Sequence, residues 1–144
     1  MPSCKILKDI ESTISQYFPF GKVVFIPKNR KLIDHLMING VYILYSKNKI
    51  VYIGMSGKIG IRLLSHLFNV SEYNSSYKNG ITKIAIIRLP DNFNPMSVEC
   101  RLIEYFKPYY NKANVYLGNF NLPDGFNIEN LIAEIEMTSN LESS

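Results

Sequence analysis

Between Gly40 and Gly54 the sequence reads GVYILYSKNKIVYIG, two runs of β-branched and aromatic residues on either side of a polar stretch. Such runs favour extended backbone, and a short polar break between them predicts a β-hairpin. Each run sets a tyrosine beside a glycine, Tyr42 near Gly40 and Tyr52 near Gly54. Side chains alternate between the faces of a strand, so the loop length decides whether the two tyrosines share a face. A three-residue loop, Ser46–Asn48, sets them directly opposite each other. A two-residue loop sends them to opposite faces unless a bulge restores the parity. The stretch contains neither Asn-Gly nor Asp-Gly, so the sequence does not demand the shorter loop.

The rest of the chain supplies elements to pack on this hairpin. Residues 5–18 carry Ile6, Ile10 and Ile14 on one stripe, a helical spacing that ends at Pro19 and Gly21. Val23 to Ile26 is a short strand or an extended link. Asn29 is placed to cap a helix over Arg30 to Ile38, with Leu32, Ile33, Leu36 and Met37 inward and His35 at the surface. Ser56 caps a helix over roughly 58–68, whose core face is Ile59, Leu63, Leu64 and Leu67. Lys58, Arg62 and His66 recur every four residues along another face of it. Gly60 costs roughly 1 kcal/mol against alanine inside a helix and predicts close approach of a strand or a substrate backbone. The polar stretch Asn69 to Gly80 reads as a loop, with Tyr77 and Lys78 suited to stacking on and neutralising nucleic acid. Ile81 to Leu89 is a third strand. Asn94-Pro95 opens a helix that runs to about Lys107 and stops at Pro108. Tyr110 to Leu117 is extended. Asn127 caps a last amphipathic helix that frays from Thr138 to Ser144. The class is α+β: a small central antiparallel β-sheet, made of the hairpin and the third strand, flanked by helices.

Glu99 lies four residues before Ile103 and seven before Phe106, so its carboxylate borders the apolar stripe of its helix, whereas Glu104 points to solvent. A carboxylate in such a position needs a cation or hydrogen bonds. Arg62 is a planar fork that matches two phosphate oxygens and stays charged at every working pH. Farther along runs Lys107-Pro-Tyr-Tyr-Asn111. Taken in order, Gly40/Tyr42, Tyr52/Gly54, Arg62 with His66, Glu99 and Asn111 resemble the GIY-YIG nuclease domain over residues 40–116, with Val41 in place of the isoleucine.

The resemblance implies a magnesium-dependent (or manganese-dependent) DNA endonuclease. It implies that Glu99 is the metal ligand, that Arg62 binds the scissile phosphate, and that His66 contacts the phosphate or leaving group or helps move a proton. Tyr42 and Tyr52 are both candidates for the general base, the first favoured with the second assisting. Asn111 orients site groups through hydrogen bonds, and Lys58 or water compensates for Met55, which stands where some members carry lysine. The alternative is a nucleic-acid-binding module that keeps the fold with catalysis lost or suppressed.

Charge agrees with a polyanionic partner. The chain of 144 residues carries a net +4, but four acids and no basic residue lie beyond position 125. Residues 1–125 therefore hold 16 basic and 8 acidic groups, a net +8, and the acidic last helix is expected to lie away from a bound strand. Cys4 and Cys100 fit no metal-ligand spacing, and no apolar run approaches membrane-spanning length. These features predict one reduced, cytoplasmic domain over residues 1–144, with flanks 1–39 and 117–144 around the core and no membrane partner. Neither flank carries a zinc signature or heptads, so specificity is expected from a homodimer, from flanks and loops, or from a protein partner.

Overall fold

The computed structural model describes residues 16–68, 80–111, Leu122 and 126–143. Eight elements follow in order: β1 (Val23–Ile26), α1 (Arg30–Asp34), β2 (Gly40–Ser46), β3 (Lys49–Ser56), α2 (Ile59–Phe68), β4 (Lys83–Arg88), α3 (Met96–Phe106) and α4 (Ile128–Ser143). The four strands form one antiparallel sheet in the order β1-β4-β2-β3. The fold is the expected α+β arrangement, with one strand more than the hairpin and its neighbour, because Val23–Ile26 pairs with β4 as a full edge strand.

The two central strands explain themselves. β2 and β4 are buried almost throughout, and their residues run as near-continuous apolar stretches because both faces of the sheet are covered. On one face Tyr42, Leu44, Ile84 and Ile86 pack with Ile33 and Leu36 and with Ile59 and Leu63 of α2. On the other, Val41, Ile43, Tyr45, Ala85 and Ile87 pack with Val98 and Leu102 of α3 and with Leu131 and Ile135 of α4. β3 is an edge of the sheet, and α3 runs alongside it. Helices from both layers therefore reach past the same strand edge.

Several local expectations change. α1 stops at Asp34, four residues short of Ile38, and Met37 is 47% exposed. The chain beyond Asp34 turns back so that Ile38 and Leu36 offer their carbonyls to the first amides of α2, Ile59 and Gly60. That contact also accounts for Gly60. A Cβ there would strike the carbonyls of Ile33 and Leu36, so the close approach is by the preceding helix and its exit, not by a strand or a substrate. β4 is shorter than Ile81–Leu89, and α4 continues past Thr138 to Ser143. Asn29, Asn127 and Ser56 accept the amide hydrogen bonds expected of them at the starts of α1, α4 and α2. Most of the expected helix over residues 5–18, and the extended segment after Asn111, lie outside the described residues. No described helix is long and apolar enough to cross a membrane.

Candidate active site

The hairpin settles the parity question by the second route. Its loop has two residues, Lys47 and Asn48, with Ser46 paired to Lys49 and Tyr45 to Ile50. The next pair is Leu44 with Tyr52, so Val51 is an extra residue, a bulge. Were Val51 paired with Leu44 in a regular ladder, Tyr52 would turn to the other face of the sheet. With it, Tyr42 and Tyr52 share a face, two residues out of register instead of directly opposite, with ring centroids 6.1 Å apart. Tyr42 pairs directly with Gly54, and a Cβ on Gly54 would run into the Tyr42 ring and hydroxyl. The glycine is the floor on which that ring lies.

α2 brings up Arg62 and His66, one turn apart, but to different depths. His66 is 1% exposed. Its Nδ1 stands 3.3 Å from the Tyr42 hydroxyl, and its ring meets Tyr52 edge to face at 4.6 Å. Burial, with the Arg62 guanidinium adding to it, lowers the His66 pKa to about 4, so the ring is neutral at pH 7. Arg62 is exposed. Lys58, also exposed, lies just ahead of the helix, its amide donating to Ser56 Oγ. The expected stripe of three basic side chains is thus two exposed cations and one sealed neutral imidazole.

α3 contributes Glu99. Its carboxyl is half-buried, and desolvation pushes its pKa up to about 7 even though the nearby Arg62 charge pulls the other way. Arg62 therefore acts electrostatically on both His66 and Glu99, which ties α2 to α3 across the β3 edge. A lone desolvated carboxylate favours a bound cation. Among the described residues no three His, Cys, Asp or Glu side chains group as a metal site. Magnesium fits this donor set, because it holds several waters and binds through as little as one carboxylate.

Asn111 closes the edge. Its carboxamide accepts from the Ile53 amide at 2.9 Å and donates to the Ile53 carbonyl at 2.8 Å, while the Tyr110 amide donates to the Val51 carbonyl at 2.9 Å. These bonds imitate a fifth strand for three residues and fix the strand that carries Tyr52. The Asn111 side chain bonds the Ile53 backbone on both sides and so positions the strand.

Tyr42, Tyr52, Arg62, His66 and Glu99 thus converge, in two tiers. Tyr52 and Glu99 are half-buried and Arg62 is exposed, whereas Tyr42 is wholly buried and His66 nearly so. The preference for Tyr42 as the group meeting an attacking water does not fit its complete burial. Tyr77 and Lys78 lie outside the described residues. The sequence reading passed over Val51 and Tyr110: a bulge has no composition of its own, and a tyrosine amide leaves no signal in a sequence.

Comparison with known proteins gives the family. The model of the GIY-YIG catalytic domain matches residues 38–114, just over half of the chain. The chain belongs to the GIY-YIG family. Within it, the sequence is 33% identical over 75 residues to the UvrABC system protein C of Borrelia duttonii and to that of Borrelia recurrentis. The match covers 51% of the chain but only 12% of either relative's length. Among solved structures, a point mutant of the GIY-YIG N-terminal endonuclease domain of UvrC from Thermotoga maritima, bound to its catalytic divalent cation, is 25% identical with a TM-score of 0.49, covering 56% of this chain and 91% of that one. The magnesium-bound form of that Thermotoga maritima domain is 25% identical with a TM-score of 0.47, covering 57% and 93%.

Proposed function

We propose that this GIY-YIG domain is a magnesium-dependent endonuclease that hydrolyses phosphodiester bonds in DNA inside the cell. One observation carries the reading: a desolvated carboxylate, Glu99, an exposed guanidinium, Arg62, and a reachable phenol, Tyr52, meet at one strand edge. Glu99 would hold the metal. When bound, a divalent cation there polarises a phosphoryl oxygen and offsets the charge that develops in the transition state.

The chain's own groups do the rest. Arg62 offers its fork to two oxygens of the scissile phosphate and stays charged throughout. Tyr52 holds the attacking water through its hydroxyl. Its ring is braced by His66 at 4.6 Å, and His66 is held in turn by the Tyr42 hydroxyl. Because His66 is neutral, it adds no second positive charge to compete with Arg62 for the phosphate. Lys58 supplies a further cation at the start of α2, on the side where Met55 brings none.

The test is nicking of supercoiled plasmid with magnesium and with chelator, followed by cleavage of duplex, nicked, flap and junction DNA. Open circles with magnesium and none with chelator are expected. Plasmid that stays supercoiled while the protein binds it would reduce the chain to a binding module.

A further inference from the structure

A cavity opens at the far end of the same strand edge. It has a volume of about 480 Å³ and is lined by Asn48 and Lys49 at the hairpin turn, by Phe106, Lys107 and Tyr109 after α3, and by Glu136 of α4. Lys107 caps α3 in the left-handed conformation, φ 47°, which turns the chain out of the helix and carries Tyr109 to the rim. The Tyr109 ring is 63% exposed and stands edge-on against Tyr110 at 4.8 Å, with ring surface open to a stacking partner. Glu136 accepts a hydrogen bond from the Tyr105 hydroxyl at 3.3 Å.

Two measures place this cavity relative to the catalytic groups. Eight residues of helix separate Glu99 from Lys107, about 12 Å. Three residues of strand separate Tyr52 from Lys49, about 10 Å. A DNA strand leaving the scissile phosphate along β3 reaches that distance in roughly three to four base steps at ~3.4 Å each.

On the basis of the nuclease reading, we propose that this cavity is a nucleotide subsite for the DNA strand beyond the cleavage point. Lys49 and Lys107 hold its phosphates. Tyr109 gives a flat aromatic surface on which a base stacks. Asn48 and Glu136 face the hydrogen-bonding edge of that base, and a carboxylate there accepts only from base N–H groups. The volume is ample for one nucleotide and lies in the usual range of small-ligand sites. The subsite also revises the expected place of the acidic helix. α4 lies on the sheet face away from Tyr42, but its Glu136 borders the strand's path.

The experiment uses the full chain in the Glu99→Gln background, so that DNA is bound without being cut, and measures affinity for a labelled duplex with a single-stranded extension against salt. Lys49→Ala with Lys107→Ala should lower the salt slope by about two, one per lost phosphate contact. Tyr109→Ala should weaken binding about tenfold with the slope unchanged. A photoreactive base three to four nucleotides from the position that the parent chain cleaves should crosslink to Tyr109. Unchanged affinity, slope and crosslink pattern in these surface variants, with the parent still binding, would overturn the subsite and leave the nuclease reading standing. A parent that neither binds DNA nor, with Glu99 restored, nicks it would overturn both.

Discussion

At the scale of single residues, the site divides into groups a substrate reaches and groups that hold them in place. Tyr52 and Tyr42 test the division. Tyr52→Phe should leave the fold intact and cut magnesium-dependent nicking by about two to four orders of magnitude, the range for losing a group that handles a proton. Tyr42→Phe should reduce cleavage less and should cost about 1–3 kcal/mol of stability, because it removes the buried hydroxyl that meets His66 Nδ1. Equal loss of activity at equal stability would contradict the two tiers. His66 gives a pH signature. Its pKa is 6.5 when unfolded and about 4 in the fold, so the unfolded chain binds more protons between those values. Its contribution to stability is complete above pH 6.5 and is lost as pH falls toward 4. Glu99, raised to about 7, opposes this over the same range, so denaturant titrations in the Glu99→Gln background should show the decline and a flatter profile when His66→Phe is added.

At the scale of elements, the bulge in β3 is the device that makes the site possible. Deleting Val51 removes the bulge and leaves Tyr52 opposite Leu44, still on the Tyr42 face, whereas a strand that paired Val51 with Leu44 would turn Tyr52 away. If the bulge serves only to set this parity, the folded variant should keep magnesium-dependent nicking. Loss of nicking in a folded variant would show that the bulge also shapes the site. How much was legible in the sequence divides along the same line. The elements and their caps at Asn29, Ser56 and Asn127 followed from spacing and residue type, since caps and periodicity are local, whereas the choice of site residues came from the resemblance to the family. The two-residue loop with its compensating bulge did not, because both loop lengths deliver the tyrosines to one face. The early end of α1 was hidden too: Leu36 and Met37 continue the helical pattern, but the carbonyls of Leu36 and Ile38 are spent on α2. Burial depth was the other blind spot, because Arg62 and His66 lie on one helical stripe yet only the first reaches solvent.

At the scale of the molecule, a sheet covered on both faces leaves the β3 edge as the place where α2 and α3 bring a cation and a carboxylate together. Lys49, Lys58, Arg62 and Lys107 would meet about four phosphates along it. Affinity for duplex DNA should then fall about a hundredfold between ~50 and ~200 mM salt, and a shallow dependence would argue against this path. The central claim, that Glu99 holds the metal for phosphodiester hydrolysis, is tested most directly by nicking rates of Glu99→Gln beside Glu104→Gln at saturating magnesium. Glu99→Gln should fold, bind DNA at least as tightly as the parent and lose cleavage by several orders of magnitude. Glu104→Gln, exposed on the same helix, should nick at the parental rate. Near-parental nicking by Glu99→Gln, or loss of nicking in Glu104→Gln, would contradict the assignment.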